Sequence, residues 1–335
     1  MLKVKTKQLL FFLILLTLPT MKVNSQNSFK LISLGCGGGV DESNLSSYLI
    51  SDFDEDQYIC LDAGTLMHGL ILASNAGIFD HLKSNNQKEE IAAYVLHHHI
   101  GAYAITHPHL DHVAGMLMAA PIDNAKTIYT SPKTANDLME HIFESPLWGN
   151  FTNEGQNPIG KWGFIRMDEK EWYPLPNSTL QLKRYPLYHS YPNESSAFLV
   201  KNNDAYTVYF GDTGMHHSES LQKILDLLND IKPLLIQRQL KAIIIEVSFP
   251  NSQPDDALYG HLKPSFIQSL LQELATFNSE LKHDSLKGLK VFISHMKPNY
   301  RIQNNNEQVI EQEINALRSF GAEIIILQQT KQYNF

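Results

Sequence analysis

The run Thr106-His107-Pro108-His109-Leu110-Asp111-His112 constrains this chain more than any other stretch. It follows the apolar segment Ala102–Thr106, which reads as a buried strand, so the run falls in the loop at a strand's C-terminal end. Alternate side chains of extended backbone share a face, so His107 and His109 can look at one point. Asp111 and His112, past a turn, can look at a neighbouring one. Three imidazoles and a carboxylate packed this closely supply nitrogen and oxygen donors suited to zinc or another divalent first-row metal. Surface histidines scattered by chance rarely make so dense a pattern.

More donors recur at equivalent places. His189 follows the strand-like Leu180–Tyr185, Asp212 follows Tyr206–Phe210, and His295 follows Val291–Ser294. Open α/β sheets gather their sites at the carboxyl ends of strands. Taken alone each is weak, since Asp212 sits between Gly211 and Gly214 and could cap a turn. Their recurrence argues for one shared site.

The rest of the chain supplies strands first and then strands alternating with helices. Lys30–Leu34, Leu45–Ser51 and Gln57–Leu61 read as short strands, the first running into Gly35–Gly39. Glu89–His99 reads as a helix, and a further helix carries Leu221, Leu225, Leu228 and Ile231 on one face. Ala197–Lys201 is a strand by its aromatic and β-branched content. Ala242–Val247 is apolar enough to be buried on both faces. Phe266–Phe277 and Glu307–Phe320 read as amphipathic helices, the second closed by Gly321 at the C′ position. Lys133–Tyr173, rich in aromatics and turn residues, looks like an irregular insertion. Strands covered by helices on both sides imply a layered α/β domain over residues 26–335.

Residues 1–25 place Lys3, Lys5 and Lys7 before the apolar run Leu9–Leu18, with a small residue, Ser25, at the end. That order is expected of a secretory signal peptide, and the run is short for a permanent span. Cleavage after Ser25 is expected to yield a secreted or periplasmic protein without lasting membrane association. The chain carries 27 basic against 35 acidic residues, a net charge of −8, and loss of the leader lysines makes it more acidic still. A nucleic-acid partner is therefore not expected. Two cysteines, Cys36 and Cys60, are too few for a disulfide scaffold, and the sequence leaves their pairing open.

Here a family likeness enters. His107–His112 resembles the HxHxDH signature of the metallo-β-lactamase fold, an αββα sandwich of two mixed sheets with outer helices, and Asp62 resembles that fold's early aspartate. Within that superfamily the run Ile105–Met116 is similar to the signature of the class II 3′,5′-cyclic-nucleotide phosphodiesterases. So are Ile142-Phe143 with Leu147-Trp148, Glu246-Val247-Ser248-Phe249, Gly260-His261-Leu262 and Ser294-His295-Met296-Lys297-Pro298. One departure is Ser190, where a glycine would follow His189.

Carried over by position, the resemblance implies that His107, His109 and His189 hold one divalent ion. It implies that Asp111, His112 and His295 hold a second, with Asp212 shared and Zn2+ the expected metal. It further implies hydrolysis of cAMP, and of cGMP as an option, to the 5′-monophosphate by hydroxide held between the ions. Asp111, His261 and Glu246 are the expected catalytic residues, His261 as general acid oriented by Glu246. The substrate would be a small molecule, and a homodimer is left open. The competing reading is another phosphodiesterase, or an RNA 3′-processing endonuclease of the same fold, against which the acidic balance speaks.

Other features rank lower. Cys36-Gly37-Gly38-Gly39 reads as a tight loop beside the site, with a phosphate cradle as the weaker option. His97–His99 and His216-His217 suggest packing or solvated roles. Trp148, Trp162 and Trp172 suggest a small satellite core, and Lys297 is placed to meet either a phosphate or solvent.

Overall fold

A computed structural model describes residues 27–83, 88–277, 284–300 and 305–335. The leader expected over residues 1–25 lies outside them.

The first half of the chain runs β1 (Phe29–Gly35), β2 (Ser47–Asp52), β3 (Tyr58–Ala63), α1 (Met67–Asn75), α2 (Ile91–His98) and β4 (Ile100–Ala104). It continues with α3 (Leu110–Ala119), β5 (Lys126–Thr130), α4 (Pro132–His141) and β6 (Trp162–Arg166). The second half runs β7 (Trp172–Pro174), β8 (Gln181–Tyr188), β9 (Glu194–Asn202), β10 (Ala205–Phe210), α5 (Ser218–Ile236) and β11 (Leu240–Glu246). After these come α6 (Pro264–Thr276), β12 (Lys290–Ser294), α7 (Asn306–Asn315), β13 (Glu323–Ile326) and β14 (Lys331–Asn334).

Among the described residues these strands form two seven-stranded sheets, ordered β14-β1-β2-β3-β4-β5-β6 and β13-β12-β11-β10-β9-β8-β7. Each is antiparallel along one stretch and parallel along the other. In the first the change falls at β3, antiparallel to β2 and parallel to β4. In the second it falls at β10, antiparallel to β9 and parallel to β11. Parallel neighbours point the same ends of their strands one way, which sends the loops after β4, β10, β11 and β12 toward one edge of each sheet.

Period-two alternation divides the apolar side chains between layers. On β11, Ala242 and Ile244 face the other sheet, whereas Ile243 and Ile245 pack under α5 and α6. On β4, Ala102 and Ala104 face inward while Tyr103 packs outward among residues of α1, α2 and α3. The layers are thus helix, sheet, sheet and helix, the αββα sandwich expected from the family likeness. The C-terminal strand β14 closes the first sheet, pairing Lys30 with Asn334. Phe335 then stacks its ring 5.5 Å from Phe29 and 5.3 Å from Phe292 of the opposite sheet.

Several expectations need correction. The strand over Ala102–Thr106 begins earlier and ends at Ala104, which frees Thr106 for the loop. The stretch 133–173 is only partly irregular. Ser131 caps α4 by accepting from the Thr134 N–H, with Pro132 at the first helical position, and β6 adds a parallel strand to the first sheet. Trp162 is fully buried in the main core beneath that sheet and not in a satellite. Helix α7 stops at Asn315, so Gly321 does not cap it; Gly321 adopts φ +91° in the turn before β13 instead. The buried face of α5 is Ile224, Leu227, Leu228, Ile231 and Leu235, rotated from the stripe expected through Leu221.

Cys36 and Cys60 are free and buried in different layers, so the open question of their pairing closes against a disulfide. Burial pushes their thiols up to about 11 and about 12 respectively, leaving both as small core residues.

Phe292 is fully buried between the sheets. Replacing it by alanine should lower the unfolding free energy by about 3 to 5 kcal/mol, because the cavity cannot collapse between two rigid sheets. Urea titration followed by circular dichroism checks this; a loss under about 1 kcal/mol would contradict the assigned packing.

Candidate metal centre

The HxHxDH run is built from two kinds of backbone. His107 and His109 lie in an extended segment, with His109 at φ −63° and ψ 147°, and Asp111 and His112 then occupy the first turn of α3. A carboxylate in a helix's first turn is favoured by the helix dipole. The structure brings His189, Asp212 and His295 to this run from the loops after β8, β10 and β12. Donor atoms of His107, His109 and His189 lie within 4.8 Å of one another, and so do those of Asp111, His112, Asp212 and His295. A third overlapping group joins Asp212 and His295 to Glu246 and His261. Asp212 Oδ2 stands 3.2 Å from His295 Nε2, 3.3 Å from His112 Nε2 and 3.9 Å from His107 Nε2.

The hydrogen bonds fix which nitrogen of each ring faces this point. His112 Nδ1 lies 2.7 Å from Asp62 Oδ2, and a carboxylate only accepts, so Nδ1 carries the proton. His189 Nδ1 donates to the Gly260 carbonyl at 3.0 Å. Thr106 Oγ1 spends its own proton on Asp62, so it accepts from His107 Nδ1 at 3.0 Å. Ser248 Oγ spends its proton on Glu246 Oε2 at 2.5 Å and accepts from His295 Nδ1 at 3.0 Å. Four rings are therefore locked with Nε2 lone pairs turned inward, the arrangement by which outer partners orient metal-binding histidines.

That arrangement demands positive charge. His112 Nε2 and His295 Nε2 face each other at 3.2 Å, a repulsive contact between lone pairs unless a proton or cation lies between them. His107 Nε2 and Asp212 Oδ2 are buried with no hydrogen-bond partner among the described residues. The donor set, nitrogens and carboxylate oxygens with no thiolate, fits divalent first-row metals. Burial, and next the charge of His112, hold His107 well below the usual imidazole range, and burial pushes His189 down to about 4. Both rings are thus neutral at neutral pH, the form in which an imidazole can bind a metal. For His112 burial works against a proton, but the Asp212 and Asp62 carboxylates outweigh it. Burial likewise opposes ionised Asp212, and the imidazoles of His295 and His112 overcome it, keeping the carboxylate charged.

Glu246 and His261 form a buried pair beside the cluster, Nδ1 lying 3.0 Å from Oε2. Burial, followed by the charge of Asp212, pushes Glu246 up to about 7, and burial pushes His261 down to about 4. The expected pairing of His261 with Glu246 is present in the structure. With Nδ1 bonded to Glu246, Nε2 is the nitrogen of His261 left for a ligand.

Two supports, Tyr209 and Ser248, went unread in the sequence, whereas the tight glycine loop beside the site was expected. Tyr209 Oη donates to Asp62 Oδ2 at 2.6 Å from the inner face of β10, where nothing distinguishes it from a core tyrosine. Ser248 was in view within a family stretch, but its bridging of Glu246, His261 and His295 is a tertiary fact. The glycine loop is tight because His295 is close: a Cβ at Gly38 would sit 2.3 Å from His295 Nδ1, and the Gly39 N–H donates to Asp111 Oδ2 at 3.2 Å. Asp62 and His295 both hold left-handed backbone, at φ +50° and +57°, a strain borne where the site is assembled. Ser190 shows no such φ, so the expected glycine is not required there. Lys297 Nζ lies 3.8 Å from Asp111 Oδ2 and is partly exposed. His97 and His99 bond to the backbone carbonyls of Ile122 and Asp56. His216 is exposed, and the His217 ring stacks on Tyr191.

Asp62 orients His112 directly and His107 through Thr106. Asp62→Asn should therefore weaken divalent-metal affinity about 10- to 100-fold while the protein stays folded. Competition titration against a chelating dye measures it; an unchanged affinity would contradict the orienting role.

Comparisons with known proteins identify the family and the fold. The profile of the cAMP phosphodiesterases class-II matches residues 27–330. A 3′,5′-cyclic-nucleotide phosphodiesterase of Aliivibrio fischeri is 33% identical over 311 residues, covering 92% of this chain and 93% of its own. A probable 3′,5′-cyclic-nucleotide phosphodiesterase of Yersinia pestis is 33% identical over 320 residues, covering 93% and 90%. Among solved structures, unliganded yeast PDE1 superimposes with a TM-score of 0.83 at 21% identity, covering 92% of this chain and all of that one. A metallo-beta-lactamase fold protein of Bacillus subtilis reaches 0.57 at 14% identity, covering 91% and 99%, which shows the shared fold. By sequence over nearly its whole described length, the chain belongs to the class II cAMP phosphodiesterases.

Proposed function

We propose that this protein hydrolyses 3′,5′-cyclic nucleotides, cAMP first and cGMP with it, to nucleoside 5′-monophosphates at a two-metal centre. The observation that carries the reading is the convergence of locked Nε2 lone pairs on buried Asp212, which calls for cationic charge where a phosphodiester anion would dock. His107, His109 and His189 would hold one ion, Asp111, His112 and His295 the other, and Asp212 would serve both; nitrogen and oxygen donors favour Zn2+. When bound, two such ions supply charge for the phosphoryl oxygens and a water acidified to about neutral pH.

The chain's own residues do the rest. Hydrolysis adds water across the P–O3′ bond: the water oxygen bonds phosphorus, and the departing 3′ oxygen needs a proton. The Glu246–His261 pair stores one proton beside the cluster. An anionic phosphate docked against His261 raises that ring's proton affinity, so the shared proton moves to His261 and Nε2 can donate to the leaving oxygen. Lys297, one residue past Met296 on the loop that carries His295, adds positive charge at the rim. Ser248 keeps the His261 and His295 rings in register.

We further propose that the leader is removed after Ser25 and that the protein acts outside the cytoplasm. Among the described residues no helix is long and apolar enough to cross a membrane. Mass spectrometry of the exported protein should find Gln26 at its N-terminus; an intact Met1 in the exported fraction would overturn this.

The function is tested by incubating the metal-loaded protein with cAMP and resolving 5′-AMP from 3′-AMP. Formation of 5′-AMP, abolished by chelation and restored by added divalent ions, is expected. His261→Ala should lower kcat about 10²- to 10⁴-fold with metal content unchanged. No turnover by the loaded protein, or an unchanged kcat in the variant, would overturn the respective claims.

A further inference from the structure

The machinery described so far handles a phosphate and says nothing of the base. Two exposed tyrosines stand next to it. Tyr259 precedes Gly260, whose carbonyl holds His189 at 3.0 Å, and His261, whose ring lies 4.5 Å from that of His189. Tyr191 lies two residues beyond His189, on the other side of the same junction. The contact there is so close that a Cβ at Gly260 would fall 1.9 Å from the His189 carbonyl oxygen.

Both rings are held out at a cost. Tyr259 is 70% exposed and adopts φ +54°, a left-handed backbone that is unusual for a bulky residue. An aromatic side chain both strained and solvated is not serving the core, and this one adjoins the junction that carries His189 and His261. Tyr191 is 44% exposed, yet its ring is braced: His217 stacks on it at 4.1 Å and 10°, and Tyr188 meets it edge-on at 5.0 Å. A ring braced in this way and still 44% exposed presents surface at little entropic cost.

We propose that Tyr259 and Tyr191 form the platform on which the substrate's purine stacks, setting affinity without reading the base edge. The proposal rests on the cyclic-nucleotide reading of the same site. Every base has a π face, so stacking tolerates adenine and guanine alike. The platform therefore gives the enzyme a preference for nucleotides over base-free cyclic phosphates and little preference between purines.

The test compares cAMP, cGMP and the base-free ribose 3′,5′-cyclic phosphate on the wild-type holoenzyme and the Tyr191→Ala/Tyr259→Ala double variant. Both side chains are solvated, so the variant should fold, and thermal unfolding confirms it. The ratio of kcat/KM for cAMP to that for the base-free ring should fall tenfold or more, through KM, and the cGMP ratio should fall by a similar factor. Tyr259→Phe should keep the wild-type ratio. A change under twofold in the double variant would overturn the platform, and loss of cAMP turnover with cGMP unaffected would overturn its indifference to the base. Wild-type protein that turned over none of the three would instead overturn the reading of the site itself.

Discussion

Asp62 is the interaction on which the rest of the site depends. Its carboxylate sits fully buried between the two sheets and accepts four hydrogen bonds, from the Thr106 N–H and hydroxyl, from His112 Nδ1 and from the Tyr209 hydroxyl. Those donors come from the β4–α3 loop, from α3 and from β10 of the opposite sheet, so one side chain joins both sheets and fixes two ring tautomers. A buried carboxylate would be costly without such partners. With them it becomes the reference point from which His112 directly, and His107 through Thr106, present Nε2 inward. Ser248 does the equivalent for His295, and the Gly260 carbonyl for His189.

The sandwich exists to bring those anchors together. Each sheet changes from antiparallel to parallel pairing at the strands that carry them: Asp62 is the last residue but one of β3, and Asp212 follows β10. Left-handed backbone is held at Asp62, His295 and Tyr259 beside the site, as it also is in turns elsewhere, such as those at Asn203 and Phe320. Packing around Gly38 and Gly260 is close, since a Cβ there would strike the His295 ring or the His189 backbone.

Much of this was legible in the sequence, for physical reasons. Strands buried on both faces, such as the one through Ile243–Ile245, announce themselves by unbroken apolar runs, and dense donors in one loop announce a metal chemistry. The donors from distant loops were legible because each follows a strand's C-terminal end. What escaped was whatever depends on tertiary partners. Helix α3 was missed because Leu110, Met118 and the histidines blur its periodicity, and α7 was drawn too long because apolar residues continue past Asn315. Trp162 looked like part of a satellite because its segment is full of turn residues, although it packs as the outer core of the first sheet. The proton affinity of His261 followed from burial beside Glu246, which no spacing reveals.

The central claim is that locked imidazoles and shared Asp212 grip two cations. Anomalous diffraction from crystals of the metal-loaded protein, recorded on either side of the metal's absorption edge, tests it most directly. The account predicts two peaks about 3.5–4 Å apart, one against residues 107, 109 and 189 and one against 111, 112 and 295, with the Asp212 carboxylate between them. A single peak, or peaks elsewhere with Asp212 untouched, would contradict it.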